Sequence, residues 1–560
     1  MAGDSTKVAM SSSPPLDGRV AIVTGASGGI GRAIAIHLHS LGARVVINYA
    51  SKSNQADLLA SELNASAPPS HPQAIAIKAD VSDPDQVKQL FTRSEEEFGS
   101  KIHILAHCAG VLDSKYPTLA NTTVEDWDMT FNVNTKGAFL CCREATNRLA
   151  HGGGGRIIMI TTSLVGSLTP GYAAYTASKA AVETMTRIVA KELKGTGITA
   201  NCVAPGPVAT EMFFAGKSEG TIKMIADACP LNRLGEPEDI SKAVGFIASD
   251  AGEWINGQLA HRPVRASGVP RERALEEERE PPSGGGAPPY PLSSIAARSG
   301  HRCSGKQRQK QYNTMTTPTT PTLSLPLEDR VAIVTGSSRG IGKAIAIHLA
   351  SLGAKLVINY TSNKEQAGLV ANEINSSCAD STPRAIVAQA NVSDPAQVKF
   401  LFDEAERVFG SQLHVLVNCA GVLDPKYPSI SNTSLEDFDH IFSVNTRGAF
   451  LCCKEAANRL KRGGGGRIIS LSSSMVGGLR PGFGAYAASK AAVETMIRIL
   501  AKELKGTGIT ANCVAPGPIA TEMYFAGKTE EQIKKNIEES PLGRLGETKD
   551  IAEVVGVYGY

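Results

Sequence analysis

Two stretches carry residues whose types and spacing could do chemistry: Tyr175-Thr176-Ala177-Ser178-Lys179 and Tyr486-Ala487-Ala488-Ser489-Lys490. A tyrosine and a lysine four apart on a helix share one face, about one turn from each other. An ammonium held near a phenol favours the phenolate and lowers its pKa from about 10. Such a phenol can hand over and take back a proton near neutral pH. Alone, the pair is weak evidence, because a tyrosine and a lysine on one amphipathic helix usually mean packing and solvent. Its surroundings decide.

The surroundings occur twice. Val20-Ala-Ile-Val-Thr-Gly25 returns as Val331-Ala-Ile-Val-Thr-Gly336, and the offset between 20 and 331 holds without a gap to Gly245 and Gly556. A repeat of that length is a duplicated domain and not a solenoid unit. Within a copy, Arg19–Thr24 is a short β-branched run, and a helical pattern follows through Leu41, where Gly42 stops it. Strands are expected at 44–48, 74–79, 102–107, 156–161 and 198–203, with amphipathic segments between them. This alternation implies α/β architecture: two doubly wound parallel-sheet domains of Rossmann type in tandem. The expected boundaries are 17–260 and 326–560. Residues 261–325 are charged, then Pro/Gly-rich, then basic, and read as a disordered linker. A nucleic-acid or nuclear-targeting role for its basic part is the alternative.

Each copy has a glycine turn between its first strand and first helix. Copy one reads Thr24-Gly25-Ala26-Ser27-Gly28-Gly29-Ile30-Gly31, and copy two Thr335-Gly336-Ser337-Ser338-Arg339-Gly340-Ile341-Gly342. Glycines here let backbone approach a pyrophosphate at a helix N-terminus, where amides and dipole favour an anion. The second strand ends Tyr49-Ala50-Ser51-Lys52 in one copy and Tyr360-Thr361-Ser362-Asn363 in the other. An NAD site would present Asp or Glu there to the ribose 2′-hydroxyl. Neither copy does. Small hydroxyls with Lys52, and with Arg339 in copy two, suit a 2′-phosphate, so the expected cofactor is NADP(H).

Composition narrows the classes. The chain has 560 residues, 42% hydrophobic and 20% charged, with a net charge of +3. Charge this close to balance gives no broad footprint for nucleic acid or anionic membrane. No apolar run approaches the roughly 20 residues of a spanning helix. The segment 1–16 has no apolar h-region, which argues against secretion; being Ser-rich and acid-poor, it keeps a short plastid transit peptide open beside the cytoplasm. The 11 cysteines form no C-x-x-C pair, and eight fall in register between the copies. They read as buried reduced thiols and not as a metal or disulfide framework.

Taken together, these residues resemble the short-chain dehydrogenase/reductase family over nearly all of both copies. The branch they are most similar to is the NADPH-dependent aldehyde reductases, through Ala-Lys-Glu-Leu-Lys-Gly and Pro-Gly-Pro-Val-Ala-Thr-Glu-Met. The resemblance implies an oxidoreductase acting on CH–OH groups, reducing aldehyde or ketone carbonyls reversibly. It implies a tetrad in each copy: Tyr175 and Tyr486 as acid/base, Lys179 and Lys490 beside them, Ser163 and Ser474 on the substrate oxygen, and Asn134 and Asn445 on a relay water. It also places Asp80 and Val81, with Asn391 and Val392, near the adenine. Around the nicotinamide it places Pro205, Gly206, Val208 and Thr210, with Pro516, Gly517, Ile519 and Thr521. The rival reading is an NADP-binding or scaffolding protein that has lost turnover. Both complete tetrads argue against it.

Departures from the family pattern are His107 where copy two has Asn418, expected to loosen local packing, and Asn391 in place of Asp80, expected to weaken adenine contacts modestly. The last strand expected after Trp254-Ile255-Asn256-Gly257-Gln258 runs into an unfamiliar sequence, and copy two stops before it. With Met315 upstream of copy two, the chain reads as two tandem genes joined by read-through. Tyr172, Met212, Phe213 and Phe214 are expected to line an apolar or aromatic-tolerant pocket. Helices expected at 124–149, 173–193, 435–460 and 484–504 offer matching faces for a pseudo-symmetric pairing within one chain. Tethering would leave a monomer that behaves as an internal dimer.

Overall fold

The computed structural model describes residues 14–65, 73–261, 325–377, 383–410 and 412–559. The expected linker, apart from its first and last residues, lies outside them.

Copy one begins with β1 (Val20–Thr24), buried along its whole length, and α1 (Gly29–Ser40). Then come β2 (Arg44–Tyr49), α2 (Ser53–Asn64), β3 (Ala74–Lys78), α3 (Pro84–Phe98) and β4 (Ile104–His107). Next are α4 (Val124–Phe131), α5 (Gly137–Arg148), β5 (Arg156–Ile160), α6 (Leu164–Ser167), α7 (Ala173–Glu192) and β6 (Thr199–Ala204). The copy closes with α8 (Glu211–Phe214), α9 (Glu219–Ala228), α10 (Pro237–Ala248) and β7 (Leu259–His261). The strands are ordered β3-β2-β1-β4-β5-β6-β7, every pair parallel. Strand order reverses between β1 and β4, so the crevice at their carboxyl ends is where such a sheet takes a ligand.

Copy two repeats this with β8 (Val331–Val334), α11 (Gly340–Ser351), β9 (Lys355–Tyr360), α12 (Lys364–Ser376), β10 (Ala385–Gln389), α13 (Pro395–Phe409) and β11 (Leu413–Asn418). It continues with α14 (Leu435–Phe442), α15 (Gly448–Arg459), β12 (Gly466–Leu471), α16 (Met475–Gly478), α17 (Gly484–Glu503) and β13 (Ile509–Val514). Last come α18 (Glu522–Phe525), α19 (Glu530–Glu538) and α20 (Thr548–Gly559). Its sheet runs β10-β9-β8-β11-β12-β13. The seventh strand of copy one does form, as three residues paired with β6.

Local chemistry sets the boundaries. Asp83 caps α3 by accepting from the Asp85 and Gln86 N–H groups, Pro84 fills its first turn, and Gly99 ends it in the left-handed region at φ 58°. The helix expected at 124–149 is not continuous. A π-helical turn, Asn132–Lys136, separates α4 from α5, and Ser443–Arg447 does the same between α14 and α15. Periodicity at 3.6 residues carries no mark of that one-residue slip.

The core of each copy merges into shared packing between them. Trp127 stacks on Phe450 with centroids 4.0 Å apart and planes 3° from parallel. Its counterpart across the pseudo-symmetry, Phe438, stacks on Phe139 at 4.0 Å and 8°. Charges follow the same swap: Arg447 pairs with Asp128 through Nε at 2.7 Å, and Lys136 with Asp439 at 2.9 Å. α7 packs along α17.

Candidate active site

Tyr175 stands in the first turn of α7 with Lys179 one turn on, and Tyr486 and Lys490 repeat this on α17. Both lysines are buried. Lys179 Nζ donates to Ile160 O at 3.0 Å, and Lys490 Nζ to Leu471 O at 2.9 Å, each at the carboxyl end of a central strand. The ammonium lies 6.0 Å from the Tyr175 ring centroid, and 5.9 Å in copy two. Burial pulls both lysines down to about 8.

The tyrosines correct an expectation. Burial pushes the Tyr175 phenol up to about 12, with a hydrogen bond to the Thr162 side chain pulling the other way. Tyr486 moves upward for the same reason, with Ser473 in the place of Thr162. Loss of water around a phenolate outweighs an ammonium whose charge is shared with a carbonyl.

Asn134 sits within the π-turn. Its Oδ1 accepts from Val111 N–H at 2.8 Å, and its Nδ2 donates to Val111 O at 2.9 Å and Ser178 Oγ at 3.1 Å. Asn445 repeats these contacts with Val422 and Ser489. A Cβ at Gly110 would stand 3.2 Å from Asn134 Oδ1 and 3.3 Å from Lys179 Nζ. The strand-end loop therefore closes directly over both groups. Ser163 heads α6, and its N–H donates to Pro205 O at 2.9 Å; Ser474 does the same to Pro516. The serine loop and the Pro-Gly loop thus sit side by side. In copy two one pocket is lined by Thr335, Asn418, Asn445, Ser470 and Lys490.

The glycine turns are wound too tightly for side chains. A Cβ at Gly31 would stand 2.4 Å from Gly25 O, and the same holds for Gly342 and Gly336 O. A Cβ at Gly28 would meet nothing within 4 Å, so that side is open space at the head of α1. Thr210, which caps α8 by accepting from Phe213 N–H, faces the turn: its Cγ2 would lie 3.3 Å from a Cβ on Gly29. An open cradle at a helix N-terminus fits a dinucleotide pyrophosphate. Ser27, Ile30, Ser338, Gly340 and Ile341 belong to the same two turns. Val81 and Val392 are buried, each against the glycine that opens α5 or α15. Asp80 Oδ1 accepts from the Ser82 N–H and hydroxyl at 2.9 and 2.8 Å, and Asn391 Oδ1 makes the same pair with Ser393. The substitution leaves that turn intact.

At the far end of the crevice the copies differ in sequence and agree in space. Lys52, after β2, pairs with Glu211 at the head of α8. Copy two has Asn363 at that place. Arg339, in the glycine turn, pairs instead with Glu522 at 2.6 Å, and Glu522 is the counterpart of Glu211. The cation comes from a different loop and reaches the same carboxylate. Tyr49 and Tyr360 end β2 and β9, and Ser51 and Ser362 follow each strand by two residues.

The model of the Enoyl-(Acyl carrier protein) reductase family matches residues 25–262 and again 336–557. The chain belongs to the short-chain dehydrogenase/reductase family. A relative from Arabidopsis thaliana, "NADPH-dependent aldehyde reductase-like protein, chloroplastic", is 69% identical over 237 residues, 41% of this chain and 88% of the relative. "NADPH-dependent aldehyde reductase 2, chloroplastic", from the same plant, is 60% identical over 238 residues, 41% of this chain and 88% of its own. A short-chain dehydrogenase from Burkholderia cenocepacia, solved in complex with NADP, is 33% identical, covers 44% of this chain and 96% of its own, and has a TM-score of 0.41.

Several residues of this short-chain dehydrogenase/reductase were not singled out by sequence. Asn48 is fully buried and donates to Ala79 O at 2.9 Å, tying β2 to the end of β3 beside the glycine turn; Asn359 does the same with Ala390. A polar residue in an otherwise apolar strand was the available signal. Tyr116 donates to Ala215 O at 2.7 Å, and Lys217 stands 4.3 Å from the Tyr116 ring and 4.7 Å from Phe213. Tyr427 and Lys528 form the copy-two equivalent. Tyr172, 5.0 Å from Tyr116, and Phe213 belong to this cluster, whereas Met212 and Phe214 are exposed at 40% and 43%. The pocket-lining expectation therefore fits two of its four residues better than the others.

His107 keeps the Thr24 contacts but not those of Asn418, whose Nδ2 donates to Cys453 Sγ and Ser470 Oγ at 3.2 and 3.0 Å, while His107 Nε2 is buried without a hydrogen-bond partner among the described residues. His107 is fully buried, its Nδ1 lies 3.1 Å from Thr24 Oγ1, and burial holds it neutral with a pKa down to about 3. Thr24 accepts from the Cys108 and Ala109 N–H groups at 3.0 and 3.1 Å, the distances found for Thr335 in copy two. No disulfide forms among the described cysteines, and no metal-binding group of side chains occurs among the described residues. No described helix is long and apolar enough to cross a membrane.

Proposed function

We propose that each copy reduces the carbonyl of an aldehyde or ketone to an alcohol with NADPH. The observation that carries the cofactor choice is the cation beside Glu211 and Glu522, supplied by Lys52 in one copy and Arg339 in the other. A position filled twice by different residues favours a demand for positive charge there, and a 2′-phosphate makes that demand. The names of the two plant relatives point the same way.

The glycine turns would hold the pyrophosphate, Asp80 and Asn391 the adenine end, and Val208, Thr210, Ile519 and Thr521 the nicotinamide amide. Bound NADPH supplies the hydride. As charge grows on the carbonyl oxygen, the Ser163 or Ser474 hydroxyl donates a hydrogen bond to it. Tyr175 or Tyr486 donates the proton. A phenol held protonated by burial is the form this direction requires. Lys179 and Lys490, buried with a carbonyl partner, place positive charge where phenolate forms. Asn134 and Asn445, fixed on both sides, hold the route by which the proton is replaced. We further propose that the two copies act as an internal dimer within one chain. The relatives' names bring the plastid alongside the cytoplasm as the compartment.

Fluorescence titration with NADPH and NADH, followed by NADPH oxidation against a panel of aldehydes and ketones, tests the reading. Tighter binding of NADPH and turnover of at least one carbonyl class are expected. Equal affinity for both cofactors, or no turnover across the panel, contradicts it.

A further inference from the structure

We propose that each active site is positioned by the other copy, through a lysine–glutamate pair at the end of the tyrosine-bearing helix. Glu503 ends α17 of copy two, and both of its oxygens accept from copy one: Oε2 from Leu119 N–H at 2.7 Å and Oε1 from Gly171 N–H at 2.9 Å. Glu192 ends α7 of copy one and does the same in copy two, with Ile430 at 2.8 Å and Gly482 at 3.1 Å. Beside them, Lys502 Nζ donates to Ser167 O and Lys191 Nζ to Leu479 O, each at 2.8 Å.

The segments gripped are those that shape the pocket. Residues 163–175 join the proposed catalytic serine to the tyrosine, and Gly171 lies four residues before Tyr175. In copy two a pocket is lined by Gly482, Phe483 and Tyr486 together, so Glu192 holds a wall of it. Two residues in the gripped turns, Leu168 and Leu479, adopt φ of 54° and 49°, a region that costs a branched side chain energy. Such a turn persists only where its surroundings fix it, and the cross-copy lysines and carboxylates supply that. Glu192 is half-buried; burial raises its pKa, while the Ile430 and Gly482 amides lower it. A carboxylate taken partly out of water and joined to one amide from each of two separate loops ties those loops together more closely than a surface contact would.

This makes Glu192, Glu503, Lys191 and Lys502 positioning residues for the opposite site. The inference rests on the reductase reading for what the pocket does, but not for the clamp itself. Hydrogen exchange followed by mass spectrometry on the full chain tests the clamp without turnover. Glu503→Ala is expected to speed exchange about tenfold in residues 116–122 and 168–173, the scale of one charge-assisted hydrogen bond. Glu192→Ala is expected to do so in residues 427–433 and 479–484. Glu503→Gln, which keeps one acceptor oxygen, should give a smaller change, and strand β1 should stay protected in all three. Unchanged exchange across the interface, or the same change in both copies, overturns the proposal.

The kinetic arm uses NADPH oxidation with hexanal. In a Tyr486→Phe chain only copy one turns over, and Glu503→Ala should lower its kcat/KM more than Glu192→Ala, mainly through KM. In a Tyr175→Phe chain the order should reverse. Equal losses from the two substitutions in either chain contradict cross-positioning.

Discussion

Lys179 holds its ammonium 6.0 Å from the centre of the Tyr175 ring while donating to Ile160 O at 3.0 Å. A buried cation with one carbonyl partner is poorly compensated, and its pKa falls to about 8. Lys490 is in the same position.

The sign of the stability effect follows. The unfolded lysine titrates near 10.5 and the folded one near 8, so between these the unfolded chain binds more protons and folding gains stability as pH rises. Below pH 8 each lysine costs about 3 kcal/mol relative to an unperturbed one. Replacing both by methionine should abolish turnover and reduce the rise in thermal midpoint between pH 8 and 10.5, leaving the part that Lys217 and Lys528, also lowered by burial, contribute. A variant whose midpoint follows the wild-type pH profile would contradict the assigned burial.

Cofactor choice should respond to charge at the strand end. Ala50→Asp in copy one and Thr361→Asp in copy two place a carboxylate directly after β2 and β9, at the proposed 2′ site. NADPH binding should weaken by about 1–3 kcal/mol. NADH binding should change far less. Titration showing equal loss for both cofactors would mean that the 2′ site has been misplaced.

The stacked pairs should govern the packing between copies. Trp127 and Phe450 are both essentially buried, and truncating either to alanine should cost about 3–5 kcal/mol. Because the rings touch, the double variant should lose less than the sum. Light scattering coupled to size exclusion should find one chain as the dominant species of the wild type. A species of two chains would contradict the internal dimer.

The duplicated architecture was legible because its signals are local and repeated. β1, β2 and the glycine turn announce themselves through β-branched runs and through Gly25 and Gly29, which take positive φ, and Gly31, where a Cβ would strike Gly25 O. The tyrosine and lysine were legible through helical spacing. What the sequence concealed depends on three dimensions. The π-turn that aims Asn134 costs one residue of register inside an uninterrupted helical pattern. The rise of the Tyr175 pKa depends on how deeply it is buried, which spacing alone does not report. The substitution of Arg339 for Lys52 could be seen as two cations, but not as one location, until both were found on equivalent carboxylates. Glu192 and Glu503 read as ordinary helix-end charges until the other copy was placed against them.

In the proposed reaction Tyr175 and Tyr486 carry the proton in two equivalent sites. NADPH oxidation by the full chain, with any carbonyl it turns over, should fall by roughly half in Tyr175→Phe and in Tyr486→Phe. It should fall by about a hundredfold or more in the double variant, the scale of removing a general acid. NADPH binding, followed by fluorescence, should persist in all three. A double variant that keeps wild-type turnover would rule out both tyrosines as the proton donors.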